Sequence, residues 1–186
     1  MKTALTLLAV VTLVVPPDLS AKQLSAEPGN PVVRAGIPES DSELTSGVNV
    51  HVQRGDLLRS ELRFADAAVE YRRAADVARR EGHLSSGTTW MLANAYFNDG
   101  NLFGAAAALD QLTTDAARVG DLAVEALAIF NSAWLNGKGG RKSETAARVA
   151  RLEILLRSPY MPVAIRDHLS SWLKTSKELA ALEPAS

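Results

Sequence analysis

The stretch WMLANAYFNDGNLFGAAAAL, Trp90 to Leu109, decides the fold. Its first half carries Trp90, Leu92, Tyr96 and Phe97 at helical spacing. Asn98, Asp99, Gly100 and Asn101 then interrupt it, and Leu102 restarts an alanine-rich run that ends in Leu109. Glycine and asparagine tolerate the left-handed conformation that ends a helix, so the interruption predicts a tight turn between two helices. Each helix has a broad apolar face that one hairpin cannot bury alone. Further hairpins are therefore expected on either side.

Working outward, the same punctuation recurs. Breaks fall near 63–64, at 81–83, 98–101, 119–121, 136–140 and 158–162, and no alternating strand pattern lies between them. They predict short helices over residues 47–175. Gly82, Gly100 and Gly120 suit helix C-termini, and Asp121 and Ser143 suit N-caps, where a side-chain oxygen accepts from first-turn N–H groups. Leu58, Tyr96, Trp134 and Trp172 follow one another at a spacing of 38. The same interval relates Gly55, Ala93 and Asn131, then Ala67 and Ala105, then Tyr71 and Leu109. Small residues recur where helices must approach closely, and large ones where a neighbour must be filled. Ala95 and Ala105 are expected at such close approaches, and Tyr96, Trp134 and Trp172 are expected to pack first.

These residues resemble the tetratricopeptide repeat family. Leu92 and Ala93 stand where that family has its Leu-Gly pair, Tyr96 at its aromatic, Leu102 at its turn hydrophobe and Ala105 at its small second-helix residue. Gly55, Phe64, Ala67, Tyr71 and Ala74 fall in the same frame one unit earlier. Ala133 and Trp134 keep it one unit later, while Ala146, Ala147 and Ala150 fall out of it. The family period is about 34, so a period of 38 implies helices about one turn longer. The resemblance implies an all-α, right-handed solenoid of about three antiparallel hairpins, with VAIRDHLSSWL as a C-terminal capping helix. It also implies a concave binding surface lined by the first helix of each hairpin.

Placing Tyr96 and Leu92 inward puts Trp90, Asn94, Phe97 and Asn98 on one opposite stripe. Val52, Asp56, Arg59 and Ser60 are their equivalents one repeat earlier, and Ala128, Ser132, Leu135 and Asn136 one repeat later. The expected partner-binding groove is therefore Trp90, Asn94, Phe97, Asn98, Asp56, Arg59, Ser132, Leu135 and Asn136. Its aromatics would fill pockets on a protein or peptide, and its amides would bind the backbone. Family members that clamp a C-terminal carboxylate use groove lysines and arginines. Val52 and Asp56, with Arg59 as the one basic residue among the groove positions of that unit, argue against such a clamp here. Coverage of this face by the N-terminal arm or the last helix is the competing reading.

The chain ends read differently. Lys2 precedes the apolar run ALTLLAVVTLVV (4–15), then Pro16-Pro17, then Ala21 as a small residue at a cleavage point. Residues 1–21 thus read as a signal peptide, shorter in its apolar run than the roughly 20 residues that span a bilayer. No cysteine stands there to carry a lipid anchor. The mature protein is expected in the periplasm or secreted. Residues 22–46, rich in Pro, Gly, Ser and Glu, read as a flexible arm, and 176–186 as a tail.

The chemistry of the rest is negative. The chain has no cysteine, which excludes thiol catalysis and thiolate metal sites, and a formal net charge of −1, which gives no basic surface for nucleic acid. GKGG (137–140) lacks the length and the following Lys-Ser/Thr of a phosphate loop. His51, His83 and His168 have no ligand-like spacing, and no cofactor or metal is expected. The arginines of the second helices, Arg72, Arg73, Arg79, Arg80, Arg148, Arg151 and Arg157, sit among carboxylates and read as a solvated convex face. The expected function is a non-catalytic scaffold or adaptor, an accessory subunit of an envelope or membrane complex. The alternative is a helical-bundle small-ligand binder or enzyme, which would need a deep pocket with converging titratable groups.

Overall fold

The structure, a computed structural model, describes residues 46–182, and the side chains of 47–174. The expected signal peptide and nearly all of the arm lie outside the described residues. The described residues contain seven helices and no strand: α1 Ser46–Ser60, α2 Phe64–Arg80, α3 Ser86–Asn98, α4 Leu102–Val119, α5 Leu122–Lys138, α6 Lys142–Leu156 and α7 Val163–Leu182. Each helix packs on the next in sequence, and α7 packs on both α5 and α6. Connections this short force neighbouring helices antiparallel. The last helix runs to Leu182, beyond the boundary at 175 read from the sequence.

The turns form where the breakers stand, by one repeated mechanism. Between α3 and α4, Asn101 N–H donates to Tyr96 O (2.8 Å) and Gly100, at φ +80°, donates to Phe97 O (3.0 Å). Between α5 and α6, Arg141 donates to Asn136 O (2.9 Å) and Gly140, at φ +78°, to Gly137 O. Between α1 and α2, Arg63 donates to Leu58 O (2.9 Å), but the left-handed position is Leu62, at φ +61°. These bonds satisfy the orphan carbonyls of each helix end. Leu62 thus holds a glycine position, and its side chain is 74% exposed.

Two N-caps are made by side chains. Asn101 Oδ1 accepts from Gly104 N (2.8 Å) and Asp121 Oδ1 from Val124 N (3.0 Å). Ser143 does not cap α6. Arg141 holds that position without a side-chain bond, and Ser143 Oγ donates to Glu144 instead (2.6 Å). The turn between α5 and α6 is as short as that between α3 and α4, so α6 begins at Lys142 and Ser143 already lies inside its first turn.

The 38-residue frame describes packing. Gly55, Ala93 and Asn131 are buried, as are Ala67 with Ala105 and Tyr71 with Leu109. Leu58, Tyr96, Trp134 and Trp172 are each half-buried. Ala95 and Ala105 are buried as expected. Gly55 shows why the small position is small. A Cβ there would lie 2.5 Å from Tyr71 Cε1, and that ring is fully buried, with its hydroxyl donating to Asp56 Oδ1 at 2.7 Å. Burial and that bond push the Tyr71 hydroxyl well above the usual tyrosine range. Trp172 meets Phe130 edge-on at 4.3 Å and helps seat α7 against α5.

The frame also organises charge. Arg72, Asp110 and Arg148 follow one another at the 38-residue interval, on α2, α4 and α6. Arg148 Nε donates to Asp110 Oδ1 (3.0 Å) and to Ser132 Oγ (2.9 Å), and its Nη2 reaches Asp110 Oδ2. Ser132 Oγ donates to Asp110 Oδ1 at 2.6 Å. One arginine therefore ties α6 to both α4 and α5.

Candidate functional site: an aromatic and cationic ledge

The groove predicted from the frame is only partly exposed. Trp90 is buried, Asn94 and Phe97 are half-buried and Asn98 is exposed. Ser132, Leu135 and Asn136 are all within 1% of full burial, which corrects the expectation that they line an open face. The cause is the position of α5. It is packed by α4, α6 and α7 together, and every residue from Glu125 to Ala133 is buried.

The expected amide donors are also in use. Asn98 Nδ2 donates to Asn94 O and Asn136 Nδ2 to Ser132 O, each at 2.8 Å and one turn back along the same helix. In the first unit, Asp56 accepts from Tyr71 and pairs with Arg59 at 3.2 Å. Both residues are half-buried and internally satisfied.

What remains accessible lies at the turn edge of two consecutive hairpins. Phe97, at the end of α3, meets Trp134 of α5 with centroids 5.8 Å apart. Phe103, at the start of α4, is 41% exposed and lies against Gly139, where a Cβ would sit 2.6 Å from its Cε1. Cations cover these rings. Lys138 Nζ lies 5.6 Å from the Trp134 centroid, and Arg141 Cζ 3.6 Å from that of Phe103. Lys138 is one helical turn beyond Trp134, and Arg141 projects from the glycine turn across to the neighbouring hairpin.

The frame had marked Phe97 and Asn98 but missed Trp134, Phe103, Lys138 and Arg141 as surface residues. The lysine among glycines in GKGG was the available signal, and it read as a bare turn.

A second concavity, about 530 Å³ and open to solvent, is lined by His51, Arg73, Asp76, Val77, Arg79 and Arg80. Most of its charges are neutralised. Arg73 pairs with Glu70 (2.6 Å), and Arg79 with Asp76 and, at 3.8 Å, with Asp115. His51 Nδ1–H donates to Glu70 Oε2 at 2.7 Å. That bond is the main cause holding the Glu70 carboxyl below the ordinary range, with Arg73 adding to it against the cost of burial. Among the described residues no hydroxyl bonds His51, no three carboxylate or imidazole groups converge as a metal site, and no helix is long and apolar enough to cross a membrane.

Comparison with known proteins adds no relative: no family model, no curated protein and no solved structure matches the chain. The tetratricopeptide resemblance therefore rests on the spacing of its own residues.

Proposed function

We propose that the protein is a non-catalytic scaffold that holds a protein or peptide partner on the turn edge formed by α3, α4 and α5. In this reading the hairpins wind as a right-handed, tetratricopeptide-like solenoid. The chain is exported by its N-terminal apolar run and serves as an accessory subunit of an envelope or membrane complex. The supporting observation is the accessible aromatic surface of Phe97, Trp134 and Phe103, shared by two consecutive hairpins. Exposed Phe103 and the accessible edges of the Phe97–Trp134 pair favour a partner that covers them, and such aromatic anchors dominate interface energies.

The test is capture of partners from solubilised envelope material by the mature chain, with and without the double change Phe97→Ala and Trp134→Ala. The reading expects the variant to keep its helical circular dichroism and lose the captured protein. A folded variant that captures the same protein contradicts the placement of the surface. A variant that unfolds assigns the ring pair to the core.

A further inference from the structure

The cations of the described residues are held in more than one way; Arg72, for instance, lies over the Tyr96 ring with 5.5 Å to its centroid. Arg59, Arg63, Arg73, Arg79, Arg118, Arg148 and Arg151 each form an ion pair with a carboxylate. Lys138 and Arg141 instead rest on the faces of Trp134 and Phe103, with no carboxylate at ion-pair distance among the described residues. Lys142 follows directly and is exposed. An ion pair cancels charge, whereas a ring face orients a cation and leaves its net charge intact. Three positive charges thus share one glycine turn. Glu144, in the first turn of α6, is the carboxylate within electrostatic reach of Arg141, and it offsets one of them. A hydrogen bond from Ser143 is the main cause holding its carboxyl below the ordinary range, so it stays ionised. The turn remains net positive on a chain whose formal charge is −1.

We propose that residues 136–142, with Phe97, Phe103 and Trp134 beneath them, dock an acidic peptide segment of the partner. The segment places carboxylates on Lys138, Arg141 and Lys142 and an apolar side chain against the rings. This rests on the scaffold reading above and names the chemistry of its occupant. The arrangement disfavours a lipid surface, because membrane-seated aromatics point their rings outward while cations draw back. Here the guanidinium of Arg141 stays on the Phe103 face, 3.6 Å from its centroid, rather than drawing back from the ring. The backbone is open as well: a Cβ on Gly140 would meet nothing within 4 Å. Arg141, the N-cap of α6, makes no side-chain cap bond, and the Glu144 carboxylate takes up the Glu144 N–H of that first turn.

The test is fluorescence anisotropy on the full chain, with a short labelled peptide alternating glutamate and phenylalanine and its glutamine counterpart. The glutamate peptide should bind about ten-fold tighter at low salt, with the difference shrinking as ionic strength rises. The double change Lys138→Gln and Arg141→Gln should remove that advantage without moving the thermal midpoint. Arg63→Gln, at the equivalent turn of the first hairpin, should change nothing. Equal affinity for the two peptides overturns the acidic occupant and leaves the scaffold reading standing. Failure of both peptides to bind overturns the docking surface and counts against the scaffold reading too. Full displacement by inorganic phosphate reduces the site to a small-anion site. Tighter binding to phosphatidylglycerol vesicles than to the glutamate peptide replaces the peptide with a membrane.

Discussion

The turn of the first hairpin, 61–63, and that of the third, 139–141, close with the same pair of backbone hydrogen bonds and are used differently. At the first, Arg63 is neutralised by Glu61 (3.2 Å) and Asp66 (2.8 Å), and an exposed leucine occupies the left-handed position. At the third, glycine holds that position, and Lys138 and Arg141 lie on aromatic rings. The backbone motif needs only a residue that can reach positive φ and two donors. Everything chemical about the turn is hung on that frame by side chains, so two copies of one motif can be inert and receptive.

The largest effect should come from breaking the frame itself. Gly55→Ala drives a methyl into the Tyr71 ring, which cannot retreat because Asp56 holds its hydroxyl. A loss of about 1–3 kcal/mol is expected in denaturant melts. The third unit has Asn131 at that frame position, and Ala147, which is exposed, sets no buried ring against it. Asn131→Ala should therefore cost less, mainly through the lost bond to Leu127 O (2.9 Å). An unchanged midpoint for Gly55→Ala would mean α1 is not seated against Tyr71.

Exchanging the left-handed residues sharpens the comparison of the two turns. Leu62→Gly should stabilise by about 0.5–1 kcal/mol, the steric cost of a left-handed leucine less the entropy of glycine. Gly140→Leu should destabilise by about the same 0.5–1 kcal/mol, for the same two reasons with signs reversed. Effects of the same sign for both changes would show that the two turns do not share a backbone.

Acid should weaken the first hairpin by a smaller amount. The Glu70 carboxyl titrates below its unfolded value because His51 and Arg73 hold it charged. Its contribution to stability is present above about pH 4.3, the ordinary Glu value, and is lost as pH falls through the lower folded value. Glu70→Gln should flatten that limb of the stability-versus-pH curve. An unaltered limb would assign acid sensitivity to other pairs.

Smallest of all should be Gly139→Ala. The added methyl meets the Phe103 ring, whose outer edge is free to swing into solvent. Stability should fall by less than about 1 kcal/mol, while the Arg141 stack is lost and binding of the glutamate peptide weakens. A large fall in the midpoint would make Phe103 a core residue.

The helices and their limits were legible because glycine, asparagine and proline punctuate them, and because size alternates at one interval. Leu62 shows the limit of that reading: a leucine gives no turn signal, and Arg63-Phe64 located the break only by interrupting the pattern. The site was legible in part. Phe97 and Asn98 were marked, but one free face was assumed for every first helix. The run AVEALAIFNSAWL (123–135) is apolar nearly all round, the mark of a helix enclosed on all sides, and that signal removes Ser132, Leu135 and Asn136 from any open surface. Lys138 over Trp134 was within reach as a helical neighbour. Arg141 over Phe103 joins two hairpins, and no local pattern encodes it.

Hydrogen–deuterium exchange of the full chain, with and without the glutamate–phenylalanine peptide, compares the two turns in one measurement. The account predicts added protection at residues 97–103 and 136–142 and none at 60–64. Protection at 60–64, or equal change at both turns, would contradict it.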